Sequence, residues 1–354
     1  GWSNGFATLH NSGGLIDPTI FGNKWLVSVE DNFSKVLDTH TLKIGGRWGM
    51  ITNDEPVTGD DQGLATFSTW GGNSTGNGYA DLLMGRMSDY LEYDTNVVGA
   101  LLRHEFAGYI QDSWKTTRQL TLELGLRFEH NGWNYDRSGY LAGFDQSLYD
   151  PDAPLEDYSG LVAPYLGWGG PRSVWKTPGL LVSPRIGFAY DLRGNGRTVL
   201  RGGGGIYRYH GRGADSLGAI NNPPLTQNVY GCCGHQLQDP EGWATSVTRS
   251  NITVLEPNAT TYPATYTWNL TVSQRLPYDV FWETSYVGNQ GSHQLTSNNS
   301  GNLREINYVP EFTLPPGSGS SEENAARPYH SFADIHMKRH MLSQNYHSLQ
   351  LMLN

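Results

Sequence analysis

Charge, cysteine and long apolar runs are all scarce in this sequence, and each scarcity excludes something. No uninterrupted apolar stretch approaches the roughly 18 to 20 residues that a membrane helix needs, which leaves a barrel of strands untouched, because such strands are only about half apolar. Charged residues make up 16% of 354 positions, and acidic side chains outnumber basic ones 34 to 24, for a net charge of -10. Nucleic acid selects basic surfaces, so it is not an expected partner. Cysteine occurs only as the neighbours Cys232 and Cys233. Two adjacent thiols lack the partner spacing of a structural zinc site. In an oxidising compartment they can close a vicinal disulfide that stiffens a loop tip; two incidental loop thiols are the other reading. The chain begins at Gly1 without a starting Met, so it reads as a processed or partial chain.

Glycine and aromatics are abundant: 44 Gly, 11 Trp and 20 Tyr. With so little charge, this composition suits a β-rich protein of the cell envelope or exterior. The stretch LTLELGLRFEH (Leu120 to His130) shows why. In an extended chain its leucines and Phe128 fall on one face, and Thr121, Glu123, Gly125, Arg127 and Glu129 on the other. Leucines two apart would scatter around a helix. The same alternation recurs in pairs: Trp25 to Phe33 with Leu42 to Trp48; Phe106 to Lys115 with Leu120 to His130; Ile186 to Leu192 with TVLRGGGGIYRY across the turn RGNG; and Trp268 to Arg275 with Val280 to Tyr286. Asp112 breaks the phase of its strand, while RGNG is a strong hairpin signal. The segment Tyr79 to Tyr93 has apolar residues near helical spacing and is expected to be a short helix in a loop.

Short turns within the pairs alternate with long polar segments between them, at 51–105, 130–182, 208–265 and 290 to about 330. Outer-membrane barrels alternate in this way, with short periplasmic turns and long extracellular loops, whereas most soluble connections are about four to six residues. The alternating runs reach about 9 to 11 residues, the length of a tilted membrane strand. Trp114, Tyr190, Tyr278 and Trp282 lie near the short turns, and Phe106, Tyr109, Phe128, Tyr207, Tyr266 and Tyr286 near the long loops, which reads as two aromatic girdles. An all-β antiparallel transmembrane barrel accounts for this combination best; a secreted soluble β protein is the alternative.

Several motifs also carry a family resemblance. YIQDSWKTTRQLTLELGLRFE (Tyr109 to Glu129) resembles a strand, turn and leucine-rich strand of TonB-dependent outer-membrane receptors, in particular the Oar-like group, and SPRIGFAYDLRGNGRTVLRGGGGIYRY (Ser183 to Tyr209) resembles the following hairpin. DNFSKVLDTHTLKIGGRW, GNGYADLLMGR, TWNLTVSQRLP, SYVGNQGSH and NYHSLQLML fit in the same order. The resemblance implies a large barrel with 22 strands and a plugged lumen. It further implies substrate binding by loops and plug apices, and an inner-membrane TonB complex that energises uptake. Residues 1–354 are then expected to be a fragment of the barrel domain holding about 12 to 14 strands, with the plug and an N-terminal regulatory-like domain outside it. Outer-membrane lipid, the protein's own plug, the TonB complex and an unknown small ligand, glycan or peptide are the implied partners, and the bacterial outer membrane the implied location.

Candidate chemistry is sparse. Glu123, Arg127, Arg185, Arg201 and Glu283 fall on the polar rows and are expected to line the lumen, where they would touch a plug or one another. Trp133, Tyr135, Tyr140, Trp168 and Trp175 lie in one long loop and could stack on a flat ligand or pack together. GGGGIYRYHGRG (Gly202 to Gly213) lacks the Lys-Ser/Thr of a phosphate loop, so its glycines are read as close packing in the wall. His336 and His340 are four apart, but without a clear helix or neighbouring carboxylates they are not expected to bind a metal. Neither a nucleophile motif nor a distinct acid pair stands out. No enzyme activity and no cofactor are expected. A carbohydrate-binding or carbohydrate-cleaving secreted protein, and a surface-adhesion barrel, are the competing functions.

Overall fold

Alternating sequence becomes a wall of long strands in the computed structural model, which describes residues 2–3, 6–10, 22–57, 63–69, 72–211, 213–239, 245–246, 249–296 and 304–354. The wall strands are β1 (Asn23–Leu37), β2 (His40–Pro56), β3 (Val98–Lys115), β4 (Leu120–Asn131), β5 (Leu181–Asp191), β6 (Thr198–Arg208), β7 (Ala264–Arg275), β8 (Phe281–Leu295) and β9 (His340–Leu353). Each pairs antiparallel with its sequence neighbours, so the sheet is an open meander whose edges are β1 and β9. Among the described residues this gives nine wall strands where chain length suggests about twelve to fourteen, because the long connections consume far more chain than the allotment of roughly 25 residues per strand assumes.

Short turns close one end of the wall. At β5–β6 the Asp191 carboxylate accepts backbone N–H groups from Arg193, Gly194 and Gly196, while Gly194 and Gly196 take positive φ, as the RGNG signal implies. Register then fixes the two faces. Leu122 stands opposite Trp114 and Phe188, and Glu123 opposite Ser113 and Gly187. The apolar rows are open to the surroundings: Ile186 is 61% exposed and Leu351 70%. Such rows belong against lipid.

The buried core lies elsewhere. Apart from Leu101 near the start of β3 and Ala264 at that of β7, the buried apolar side chains come from the long connections. These fold together at the far end of the wall into a cap. One sheet joins Leu64–Phe67, Arg86–Tyr93 and Asn228–Gln236, and another joins Gly143–Phe144, Ile252–Leu255 and Ile335–Lys338 through parallel pairs. Phe144, Ile252, Val254, Phe332 and Ile335 form one of its cores, each at 1% exposure or less. Strands from different connections therefore need one another to bury their apolar faces.

The helix expected over Tyr79 to Tyr93 is only half present. Gly78–Leu83 is helical, capped by the Asn77 side chain, but Gly85 at φ 68° ends the turn and Arg86–Tyr93 is a strand. Strand partners on both sides, Leu64–Phe67 and Asn228–Gln236, override the local pattern. Cys232 and Cys233 lie on the irregular part of Asn228–Gln236, and their side chains, with the disulfide reading, fall outside the described residues.

Candidate functional site: the inner wall and its cap

Strand parity carries the five charged candidates to the inner face. Glu123 accepts hydrogen bonds from Ser113 Oγ and from Gln111 Nε2. Arg127 Nε donates to Glu129 Oε1 at 2.9 Å. Arg201 lies 4.0 Å from Glu283, a loose pair bridged by Ser273, whose hydroxyl donates to Glu283 at 2.7 Å. Arg185 has another kind of partner: its guanidinium lies 4.4 Å over the Tyr207 ring. The structure brings Glu123 and Arg185 into one concavity of about 320 Å³ with Gln111, Tyr207 and Asn269, and Arg127, Arg185 and Lys43 into the next.

Glycines make this floor. Gly125, Gly187 and Gly203 bring backbone to the lining of the concavity, and a Cβ on Gly203 would stand 2.9 Å from the Ile186 carbonyl oxygen. On the outer face a Cβ on Gly202 would meet the Phe188 ring at 2.6 Å, so this ring covers the glycine across the strand pair. Close packing, not phosphate binding, uses the glycine run. Parity also corrects two girdle assignments. Tyr109 pairs with Arg127 and donates to Asn32 Oδ1, and Tyr207 stacks on Arg185, so both face inward.

Sequence reasoning missed a buried polar cluster where wall meets cap. Arg103 Nη2 lies 2.8 Å from Glu105 Oε1, His210 Nε2 lies 3.3 Å from the same oxygen, and the Tyr262 hydroxyl is 2.7 Å from His210 Nδ1. Burial pushes the His210 imidazole below its ordinary value against the pull of Glu105. The signal was present: Arg103 and Glu105 share the phase of Tyr109 and Gln111.

The aromatic candidates divide. Trp133 and Trp175 are buried at 4% and 2% exposure, with ring centroids 4.9 Å apart and Tyr262 and His340 against them. At that exposure these two rings serve as core packing. Tyr140 and Trp168 are half-buried against the same core, and Tyr135 carries the Arg172 guanidinium at 5.2 Å. His336 and His340 share no helix face, because both lie on strands. Glu305, Asp334 and His336 do converge: Glu305 lies 3.3 Å from His336, and Asp334 takes Arg327 at 3.0 Å.

A polar, glycine-floored inner face, an apolar outer face and a folded cap at one end describe the wall of a membrane barrel. Solved structures with similar folds include the outer membrane transporter YddB from Escherichia coli, at 12% identity and TM-score 0.48, covering 93% of this chain and 30% of that one. The ferric enterobactin receptor PfeA from Pseudomonas aeruginosa is similar at 14% identity and TM-score 0.45, over 98% and 37% of the two chains. The siderophore receptor PirA from Acinetobacter baumannii follows at 12% and 0.43, over 94% and 34%. This chain thus spans about a third of the length of those proteins. None of the curated protein sequences matches it significantly. Residues 9–354 match the family described as outer membrane beta barrel domain, and the chain belongs to that family, whose place is the bacterial outer membrane.

Proposed function

We propose that this chain is the wall and cap of a TonB-dependent outer-membrane receptor that takes up a nutrient ligand, with the long connections facing outward and the short turns facing the periplasm. The observation that carries the reading is a polar sheet face beside a cap built from interlocked connections: Glu123, Arg127 and Arg185 line adjoining concavities on that face, which supports reading it as the wall of a lumen. A ligand would meet the cap first, and a plug supplied by the rest of the protein would sit against the inner wall, where cations and carboxylates are already held in pairs. The wall is scaffold and gate, and energy enters through the plug. The exposed leucine rows and the membrane family speak against a secreted carbohydrate-binding protein.

The test is accumulation of labelled ferric chelates, vitamins, glycans and peptides by cells carrying the complete gene, cells lacking it, and cells lacking the energy-coupling complex. A ligand whose accumulation needs both supports the proposal. Accumulation that survives loss of the coupling complex overturns energised uptake, and surface binding without accumulation points to adhesion.

A further inference from the structure

The seam between the two cap sheets holds a pocket of about 310 Å³. Tyr93 and Asn228, partners in the pair Arg86–Tyr93 and Asn228–Gln236, come from one sheet, and Arg249, Ser250 and Asn251 lead into Ile252–Leu255 of the other. Its polar groups are arranged as donors. Arg249 Nε donates to the His330 carbonyl oxygen at 2.7 Å, which fixes the guanidinium through a neutral group; among the described residues no carboxylate pairs with Arg249, and none lines the pocket. Asn251 Oδ1 accepts the Asp334 N–H at 3.0 Å and Asn221 Oδ1 accepts the Thr226 hydroxyl at 2.6 Å, so both amides turn their oxygen to the protein and keep their NH2 group in hand. The neighbouring acids are committed elsewhere: Asp94 accepts the Gln227 N–H, and Asp334 takes Arg327.

We infer that this pocket binds a small hydroxylated carboxylate, of the class of the sugar acids, with its carboxylate on Arg249 and the Asn251 amide. Three observations choose the ligand. Donors in excess, without an acid among them, select an acceptor-rich anion. A single guanidinium balances one negative charge, whereas a phosphate monoester, at about −1.5 to −2, leaves much of its second charge unmet in a part-buried site. The rest of the lining includes Asn228, Ser250 and the Tyr93 and Tyr230 rings, which set amide and hydroxyl groups beside aromatic surface, and the volume lies at the low end of ligand sites, so the body that fits is about one hydroxylated ring. Because the lining comes from both cap sheets, the bound acid also ties those sheets together. This deepens the receptor reading above and rests on it for the side from which the ligand arrives.

The experiment is calorimetric titration of the complete protein in mild detergent with glucuronate, glucose, glucose 6-phosphate and acetate. Wild type, Arg249→Gln, Asn251→Asp and Lys176→Gln, a control at an exposed residue outside the pocket, are compared. Wild type is expected to bind glucuronate about tenfold more tightly than any of the other three probes, Arg249→Gln to lose about tenfold for glucuronate, and Lys176→Gln to match wild type. If Arg249→Gln does not fold, Asn251→Asp keeps an oxygen for the Asp334 N–H while exchanging the NH2 donor for a negative charge, and is expected to lose at least as much. Glucose bound as tightly as glucuronate, glucose 6-phosphate bound more tightly, or glucuronate bound equally by all four proteins overturns the inference, as does a wild type that binds none of the probes. Glucuronate that binds as expected but accumulates equally in cells lacking the coupling complex overturns energised uptake and leaves the pocket standing, so the two failures are separate.

Discussion

Nδ1 of His40 lies 2.6 Å from a carboxylate oxygen of Asp112, on the face of the wall that carries the leucine row. Asp112 stands opposite Leu42 and Leu124, so the register is unbroken and the phase break in the sequence is an acid placed among lipid-facing residues. His40 also stacks on Trp114 at 5.3 Å, near the short turns. The acid is tolerated there because it is paired and lies near the interface, where charge on the lipid face costs little.

His40→Leu is therefore expected to destabilise the barrel by about 1 kcal/mol, by leaving the carboxylate unmet, whereas Asp112→Leu is neutral or stabilising. Urea unfolding of the complete protein in lipid vesicles measures both. A larger loss for Asp112→Leu than for His40→Leu contradicts this account of the pair.

Gly203→Ala places a methyl 2.9 Å from the Ile186 carbonyl oxygen, and its nearest neighbours are all backbone atoms of Ile186 and Gly187, which leaves no flexible group to move aside. A cost of about 1 to 3 kcal/mol is expected. Gly46→Ala, whose nearest neighbour would be the Ala107 carbonyl at 3.8 Å, should change stability by less than about 0.5 kcal/mol. The same unfolding assay compares them, and equal costs would refute close packing as the reason for the glycine run.

Trp133 fills the cap core between Trp175, Tyr262 and His340. Trp133→Ala should cost the cap about 3 to 5 kcal/mol while leaving the wall strands paired. Limited proteolysis is expected to cut within 132–180 and 209–263, with β3 to β6 still protected. Protection of both connections in the variant shows that the cap does not depend on this cluster.

The strand wall was legible because period-two alternation is a local property: Leu120 to Phe128 declares its two faces without reference to any other strand. Local pattern misled where partners come from far away. Arg86–Tyr93 looks helical until Asn228–Gln236 pairs with it, and Trp133 and Trp175 look free until Tyr262 and His340 cover them. Residue type and nearness to the long connections place Tyr109 and Tyr207 in a girdle, although their phase puts them on the inner row. The polar cluster of Arg103, Glu105 and His210 joins β3 to the segment after β6, a pairing that no spacing within either segment reveals.

The cap should loosen in mild acid. Burial and the neighbouring Arg304 push the His336 imidazole below its ordinary value, against the pull of Glu305 and Asp334. Above the unfolded value both states are neutral and pH has no effect; as pH falls through about 6.5 the unfolded segment gains a proton that the folded one resists, so stability drops. Hydrogen exchange at Ile335–Lys338 is expected to speed up between about pH 6.5 and 5.5 in the wild type and to change less in His336→Gln. Acceleration that is unchanged in His336→Gln assigns the effect to another group.

The central claim is that the leucine row meets lipid and the charged row meets a wet lumen. Spin labels at Leu122, Glu123, Leu124 and Arg127 of the complete protein in membranes test it directly, through collisions with oxygen and with a water-soluble relaxant. The account predicts that 122 and 124 respond to oxygen while 123 and 127 respond to the aqueous agent. Labels at 122 and 124 that respond to neither would place the leucines against protein and contradict the membrane wall.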